Sequence, residues 1–317
     1  MKKQIKLCKD VENGMLKGER NLGIYLIKTE DKINKEVVLK IALVVLIITM
    51  LILLMFVANY SINIIRNSKI AKQYEEQIAV LEKQELEKQE AERQAKIPKL
   101  TEQGKENIEN IYHSDTKRAF LTFDDGPSSV TNTILDVLKQ ENVKATFFVL
   151  GSRVEAKPDV VKRIYDEGHY IANHGYSHVY ENIYASPQAV LDEYNRCNEA
   201  VKNAIGVPEY NSHLFRFPGG LVGGKYADIK SQANELLKQN NIVHVDWNAL
   251  NGDAETNNLS IDFELARLQE TTQNKNSVVI LMHDAPIKKV TAEALPQIIS
   301  YLREQGYEFD NFYNIIK

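Results

Sequence analysis

Two adjacent carboxylates, Asp124 and Asp125, follow an apolar run at residues 119–121 within the sequence Thr-Phe-Asp-Asp-Gly-Pro. Like charges this close repel each other, and the pKa of one carboxyl rises unless a cation or a positive side chain lies beside it. Gly126 and Pro127 end the predicted strand, so both carboxylates can turn toward one rim. The pair alone is compatible with a solvated turn or with a cation site, and the remaining polar residues decide between these interpretations.

Polar and ionisable residues stand in or directly after four further apolar runs, at 170–172, 214–217, 243–246 and 278–282: His174, His178, Arg216, Asp246 and His283. His174 and His178 are four residues apart, so one helical turn would place both imidazoles on the same side. Imidazoles and a carboxylate suit a zinc-like ion, which in catalytic sites takes three protein ligands and a water. Such an ion polarises a carbonyl, and the other residues would remain for orientation and proton transfer.

The elements that must position these residues alternate from residue 117 onward. Predicted strands lie at 119–123, 146–150, 170–172, 214–217, 243–246 and 278–282, and predicted helices lie at 131–140, 158–167, 187–205, 231–239, 262–272 and 291–304. Strand followed by helix, repeated, predicts a parallel sheet with right-handed crossovers. The fold class is therefore α/β, with a small or distorted (β/α) barrel as the expected architecture. Active sites of such barrels lie at the carboxyl ends of the strands, where these polar residues stand.

The N-terminal third of the chain has a different composition. Residues 41–65 carry no charge, and roughly 20 apolar residues in a helix cross the ~30 Å hydrocarbon core of a bilayer. The run is too long for a cleaved signal peptide and lacks an Ala-x-Ala site, so we expect an uncleaved transmembrane anchor. Ten Lys and Arg residues stand within residues 1–40, whereas only Arg66, Lys69 and Lys72 stand between the run and Glu75, which predicts a cytoplasmic N-terminus and an extracellular C-terminus at the cell membrane. Cys8 and Cys197 would then lie on opposite sides, and no disulfide framework is expected.

Four segments follow from these patterns: a cytoplasmic segment at 1–40, the anchor at 41–65, an extracellular helical stalk and linker at 66–116, and a catalytic domain at 117–317. The stalk is rich in Glu, Lys, Gln and Ala, a composition that favours helix. Its apolar residues form only a fragmentary heptad, so self-association through the stalk stays an open alternative without support. The net charge of −4 and the lack of a basic cluster in the C-terminal region argue against a nucleic-acid partner.

The polar residues fall into an ordered set: Thr-Phe-Asp124-Asp125-Gly-Pro, His174-x-x-x-His178, Arg216-Phe-Pro-Gly-Gly220, Asp246-Trp247 and Leu281-Met-His283-Asp. From Lys117 to the C-terminus, this set resembles the polysaccharide deacetylases of carbohydrate esterase family 4, the NodB-homology domain. The anchored, extracellular layout resembles the peptidoglycan N-acetylglucosamine deacetylases of Gram-positive bacteria. The resemblance implies metal-dependent hydrolysis of N-acetyl groups on a cell-wall glycan, with release of acetate.

The resemblance also implies a role for each motif residue. Asp125, His174 and His178 would bind one divalent ion, Zn²⁺ in the first instance, with Co²⁺ or Mn²⁺ as alternatives. Asp124 would be the general base, oriented by Arg216, and His283 the general acid, tuned by a hydrogen bond from Asp246. The substrate pocket would be lined by Trp247, Leu281, Pro218, Gly219 and Tyr176.

Two residues depart from the family pattern. Gly175 follows the first metal histidine, where the family usually has Ser or Thr. Gly219 stands where the third motif usually has Tyr or Phe, so a backbone donor for an oxyanion is kept while a pocket wall is lost. Both departures concern substrate fit more than catalysis. The alternatives that stay open are a deacetylase of another glycan (chitin-like, poly-GlcNAc or O-acetylated xylan) and, in a different class, a non-catalytic glycan-binding module.

Overall fold

The computed structural model describes residues 35–317. The expectations for residues 1–34, including most of the cytoplasmic segment and Cys8, lie outside the described residues. Contacts between Cα atoms divide the chain into two compact units, with the boundary between Leu86 and Glu87.

Helix α1 (Lys35–Ala95) is continuous over 61 residues and includes the whole apolar run. None of its side chains is buried. Within residues 35–317, it is the one helix long and apolar enough to cross a membrane, judged by length and composition. Its C-terminal part agrees with the helix expected for the stalk.

The second unit is built on eight parallel strands. They are β1 (Arg118–Asp124), β2 (Thr146–Val149), β3 (Tyr170–Asn173), β4 (Leu214–Phe215), β5 (Val243–His244), β6 (Ala249–Leu250), β7 (Ser277–His283) and β8 (Glu308–Asp310). Their order is β5-β4-β3-β2-β1-β7-β6, and β8 pairs with the first half of β1. The terminal strands β5 and β6 do not pair with each other in the described chain, so the sheet is a curled half-barrel. The expected distorted (β/α) barrel is confirmed.

Helices connect the strands. After α1, they are α2 (Glu102–Glu109), α3 (Thr131–Gln140), α4 (Gly151–Ala156), α5 (Pro158–Asp166), α6 (Tyr180–Ile183), α7 (Pro187–Ile205), α8 (Ala227–Gln239), α9 (Ile261–Thr272) and α10 (Lys289–Glu304), followed by a short 3₁₀ helix at Phe312–Asn314. Helix α7 shows how the sequence sets such bounds. The Ser186 hydroxyl caps its start by accepting from the Ala189 N–H at 3.1 Å, and Gly206 ends it with φ of 72°.

Both faces of the sheet are buried, which explains the unbroken apolar runs of its central strands. Leu121 and Phe123 pack toward the cluster that lies under the outer helices. Phe120 packs on the other side with Phe148 and Phe312. Strand β1 is therefore held from both sides, and the position of its carboxyl end is fixed by the core.

The segment expected as a polar link between stalk and domain instead contains α2, which is part of the second unit. Thr101 caps this helix by accepting from the Gly104 N–H at 2.9 Å. Ile108 is buried in the same cluster as Ile316, and a Cβ at Gly104 would lie 2.2 Å from the Ile316 carbonyl oxygen. The helix has only eight residues, and one of them is the glycine that the close approach to Ile316 requires. For this reason the sequence pattern of the segment favours a polar link over a helix.

Candidate active site

The carboxyl ends of neighbouring parallel strands bring the polar residues to one rim. In the sheet register, Asp124 at the end of β1 pairs with His283 at the end of β7. On the other side of β1, strands β2 and β3 lead to Asn173, directly before His174. Asn173 pairs with Phe215, directly before Arg216. Residues far apart in the chain are thus neighbours because their strands are neighbours.

Three possible metal ligands, Asp125, His174 and His178, each offer one atom within 4.8 Å of the others. Asp125 Oδ1 lies 3.7 Å from His174 Nε2 and 3.4 Å from His178 Nε2. This oxygen is buried and has no hydrogen-bond partner in the described chain. His174 Nδ1 lies 2.7 Å from the Arg216 carbonyl oxygen. Nδ1 must therefore carry the proton, and Nε2 keeps its lone pair for a cation.

The backbone at two of these residues is strained. Asp125 has φ of 74° and His178 has φ of 58°, both in the left-handed region that residues with a Cβ seldom adopt. Such conformations persist only where the surroundings impose them, and they concentrate at functional sites. At Asp125, the Arg153 guanidinium donates to the carbonyl oxygen. Successive side chains of a strand point to opposite faces of the sheet, and the turn ends this alternation, so that Asp125 lies toward the two histidines.

The environment of Asp125 and His174 favours the protonation states that bind a cation. Burial raises the pKa of Asp125, but its electrostatic interactions with His174, His178 and other neighbours outweigh this effect, and the net pKa is below the ordinary value. Burial lowers the pKa of His174 and dominates over the opposing charges of the two aspartates. The pair therefore favours a carboxylate and a neutral imidazole, the forms that ligate metals.

Arg216 holds Asp124. Its Nη1 donates to Asp124 Oδ1 at 2.8 Å, and both side chains are buried. Arg216 itself is fixed because it also donates to Thr122 Oγ1 and to the carbonyl oxygens of Val245 and Asp246. A buried guanidinium with this many acceptors stabilises a carboxylate beside it and fixes the direction of its second oxygen. That second oxygen, Asp124 Oδ2, lies 3.8 Å from His174 Nε2.

The hydrogen-bond partner of His283 is Asp253, and the prediction that assigned this role to Asp246 is wrong. Asp253 Oδ1 lies 2.7 Å from His283 Nδ1, and Asp253 Oδ2 accepts from the His283 backbone N–H at 2.8 Å. Asp246 instead accepts from the Leu221 backbone N–H at 3.0 Å.

Strand β6, which the sequence pattern did not reveal, is the physical reason for this correction. Leu250 in β6 pairs with Leu281 in β7, so the turn directly after β6 delivers Asp253 to the imidazole. In the sequence, Asn251-Gly252-Asp253 is a good turn signal directly after Ala-Leu. That signal predicts a turn at Asp253, but only the pairing of β6 with β7 shows that the turn reaches His283.

The surroundings of His283 favour its protonated form. Burial lowers its pKa, but the hydrogen bond and charge of Asp253, followed by the charges of Asp124 and Asp125, raise it more, to about 9. Because Nδ1 is bound to Asp253, the second ring proton of the imidazolium lies on Nε2. The site thus combines a neutral histidine at the possible metal position with a protonated histidine on the opposite side.

The residues expected to line the substrate pocket differ in their burial and in their contacts at this rim. The half-buried Trp247 lies near Arg216, with 5.7 Å between ring centroid and Cζ. Leu281 is 7% exposed. Pro218 is buried, and its carbonyl oxygen accepts from the Tyr184 hydroxyl at 2.7 Å. Gly219 is exposed and has φ of 76°, a conformation that favours glycine.

The aromatic residue beside the metal ligands is Tyr180 and not Tyr176. The Tyr176 hydroxyl donates to Glu155 at 2.7 Å, and its ring lies 3.4 Å from the Arg196 guanidinium, so helices α4 and α7 engage it. The Tyr180 ring lies 5.7 Å from the ring of His178. Its hydroxyl oxygen is 2.7 Å from the position that a Cβ would take at Gly219. Tyr180 therefore fills space that a side chain at position 219 would otherwise occupy.

The comparisons with known proteins agree with this geometry. A family model described as polysaccharide deacetylase matches residues 112–237. The chain is 34% identical to a peptidoglycan-N-acetylglucosamine deacetylase of Bacillus cereus over 63% of its length and 70% of that protein. It is 36% identical to the peptidoglycan-N-acetylglucosamine deacetylase of Listeria monocytogenes over 61% of its length, but over only 37% of that protein.

A solved structure is also similar, that of a carbohydrate esterase family 4 esterase of Streptococcus mutans. The TM-score is 0.60 at 32% identity, and the match covers 67% of the chain and 92% of the esterase. The similarity thus extends over nearly the whole of that structure and over about two thirds of the chain.

Proposed function

The chain belongs to the polysaccharide deacetylases of carbohydrate esterase family 4, and from this premise we propose that it hydrolyses the N-acetyl groups of peptidoglycan N-acetylglucosamine and releases acetate. The observation that carries the proposal is the meeting of three units at one rim: the triad of possible metal ligands, the Arg216–Asp124 pair and the Asp253–His283 pair. Two similar proteins, from Bacillus cereus and Listeria monocytogenes, are named for this activity, which supports the choice of glycan.

We propose that Asp125, His174 and His178 hold one Zn²⁺ ion, with Co²⁺ or Mn²⁺ as alternatives. The donor set fits such an ion, because a buried carboxylate oxygen without a partner faces two imidazole nitrogens, and one of these has its proton fixed on the far side. When bound, the ion supplies a Lewis acid for the amide carbonyl and for the attacking water.

Asp124 is then the general base. Arg216 occupies its Oδ1 and leaves Oδ2 facing the metal ligands, so the free oxygen can take a proton from the water that attacks the acetyl carbon. The buried guanidinium keeps Asp124 in place as its charge changes. Asp124 and Asp125 are adjacent in sequence, yet their different backbone conformations give them separate tasks.

His283 completes the reaction as the general acid. When the bond between the acetyl carbon and the amide nitrogen breaks, the departing amine needs a proton, and the imidazolium Nε2 can donate it. Asp253 holds Nδ1 and stabilises the charged ring. The products are acetate and a glucosamine unit with a free amine.

We further propose that residues 41–65 of α1 anchor the protein in the cell membrane and hold the catalytic domain on the extracellular side, within reach of the wall. The support is the uncharged run in a helix of sufficient length and the ten Lys and Arg residues that precede it, against three between the run and Glu75.

Acetate release by the detergent-solubilised full chain tests the function. Peptidoglycan, chitin oligomers and acetylated xylan are supplied separately, with and without a chelator. We expect the highest rate on peptidoglycan, loss of activity on chelation, and recovery when Zn²⁺ is restored. Asp124→Asn should lower the rate by about 10²- to 10⁴-fold. Asp159→Asn, a change at an exposed position on α5, is the matched control and should retain activity.

Each other outcome has a defined meaning. Faster acetate release from chitin oligomers or xylan would show that the preferred substrate is that glycan and not peptidoglycan, with the proposed hydrolysis unchanged. Undiminished activity in the presence of the chelator would contradict the metal site. No acetate from any substrate by the zinc-loaded protein would favour the glycan-binding module.

A further inference from the structure

A second buried carboxyl lies behind the Asp253–His283 pair. Glu264, on α9, is 0% exposed, and its Oε1 lies 3.2 Å from the hydroxyl of Thr291 on α10. The same Thr291 hydroxyl lies 3.0 Å from Asp253 Oδ2. Thr291 is also fully buried. One hydroxyl therefore stands between two carboxyl groups, without access to solvent.

The hydroxyl of Thr291 constrains the protonation of the two carboxyl groups, Asp253 and Glu264. A threonine hydroxyl has a single proton to donate, and a carboxylate can only accept. If both carboxyls were ionised, one of the two contacts would bring lone pairs together in a buried site, which is costly. Both contacts become hydrogen bonds only if one carboxyl brings its own proton.

Asp253 is the ionised member of the pair. Its two oxygens already face N–H groups of His283, the backbone N–H at Oδ2 and the ring Nδ1 at Oδ1. The Lys288 ammonium donates to the Asp253 carbonyl oxygen, which places a second cation beside the residue. With this set of donors, Asp253 acts as an acceptor for Thr291.

Within residues 35–317, the side-chain hydrogen-bond partners of Glu264 are the neutral Asn251 and Thr291. The amide of Asn251 donates to Glu264 Oε2 at 2.7 Å, and its orientation is fixed because Asn251 Oδ1 accepts from the Asp253 backbone N–H. Oε2 is therefore an acceptor, and a proton on Glu264 belongs on Oε1, which faces Thr291. Burial and then the charge of Asp253 raise the pKa of Glu264 to about 7, against smaller lowering effects of Thr291, Asn251 and Lys288.

We propose that Glu264 is a neutral carboxylic acid that donates to the Thr291 hydroxyl, which in turn donates to Asp253, so that Glu264 positions the Asp253–His283 pair. The role rests on the proposed deacetylation, in which His283 is the acid. Glu264 does not reach the substrate, so it is a positioning residue, and it acts by fixing which Asp253 oxygen faces which N–H of His283.

Breaking the chain of hydrogen bonds tests its catalytic effect. Thr291→Val removes the hydroxyl at nearly constant volume and should lower kcat for acetate release by about tenfold or more, with KM and zinc content unchanged. Thr291→Ser restores the hydroxyl and should recover most of the loss. Equal kcat for wild type and Thr291→Val would overturn the proposal, as would a loss that Thr291→Ser does not rescue.

A second measurement does not depend on activity. Trp247 is the only tryptophan of the chain, so its fluorescence in the full-length protein follows the unfolding of the catalytic unit alone. Because the pKa of Glu264 is raised in the folded state, the stability it contributes is complete below about pH 4.5 and is lost as the pH rises through about 7. Glu264→Gln keeps a donor toward Thr291 and an acceptor toward Asn251, but cannot ionise.

The melting midpoint of the wild type should therefore fall relative to that of Glu264→Gln by about 5 °C between pH 5 and pH 8. Groups common to both proteins, such as the buried Asp284, cancel in this difference. Glu293→Gln, at an exposed position on α10, is the matched control and should run parallel to the wild type. Parallel curves for wild type and Glu264→Gln would show that Glu264 is already ionised and would overturn the proposal, even if acetate release were normal.

A different result is that neither the wild type nor any variant releases acetate, while the melting midpoints of wild type and Glu264→Gln diverge as expected. That result would support a neutral Glu264 and contradict the proposed deacetylation. The two failures are thus distinguishable.

Discussion

The two sides of the site use histidine in opposite ways. On the side of β3, burial lowers the pKa of His174, and a backbone carbonyl holds its Nδ1 proton. On the side of β7, a carboxylate holds the same ring atom of His283, and the pKa rises to about 9. A neutral partner at Nδ1 leaves an imidazole that can ligate a cation, whereas a charged partner gives an imidazolium that can donate a proton.

The side of β3, here called the metal side, and the side of β7, here called the acid side, also differ in the number of chain segments that build them. The three possible ligands of the metal side lie within two short segments, and their motifs are visible in the sequence. The acid side is assembled from β7, the turn after β6, and helices α9 and α10. We therefore expect changes on the metal side to remove an entire function, and changes on the acid side to be graded and dependent on pH.

The largest effect should come from Asp125→Asn. Without the carboxylate, the buried site loses the only anion of the triad, so we expect zinc content to fall to background and acetate release to fall by at least about 10³-fold. Metal analysis of the purified full chain together with the acetate assay measures both. A variant that keeps stoichiometric zinc would place the essential carboxylate elsewhere.

Asp124→Asn should fail in a different way. The triad is intact in this variant, so zinc should remain bound, while loss of the general base lowers kcat by about 10²- to 10⁴-fold. The comparison of zinc content between Asp124→Asn and Asp125→Asn is the critical readout. If both variants lost zinc to the same extent, the separation of the two carboxylates into a base and a ligand would be contradicted.

On the acid side, Asp253→Asn should have a smaller effect that depends on pH. Removing the negative charge lowers the pKa of His283 from about 9, so the imidazolium is lost at a lower pH. The alkaline limb of kcat/KM should therefore shift toward neutral pH, with a loss of about 10- to 100-fold at the optimum. Asp246→Asn should leave that limb in place, because Asp246 does not contact His283. A shift in Asp246→Asn alone would restore the assignment made from the sequence.

The error over Asp246 shows which parts of the molecule the sequence could predict. The fold class and the six longer helices of the second unit followed from periodicity and from caps such as Ser186 and Gly206. Strand β6 has two residues, and its existence depends on pairing with β7, a contact that no local pattern expresses. Glu264 had no visible role for the same reason, since a glutamate on an amphipathic helix usually faces solvent, and only the packing of α9 on α10 buries it.

The smallest expected effect concerns the pocket wall. Gly219→Ala puts a methyl group in strained backbone, with φ of 76°, and 2.7 Å from the Tyr180 hydroxyl oxygen. We expect a loss of about 1 kcal/mol of stability from the backbone and a few-fold rise in KM from displacement of Tyr180. Tyr180→Phe removes the clashing oxygen, so the double variant should recover KM while keeping the stability loss. Recovery of both, or of neither, would show that Tyr180 and Gly219 do not share this space. A rise in KM for Tyr180→Phe alone would identify the hydroxyl as a contact of the glycan.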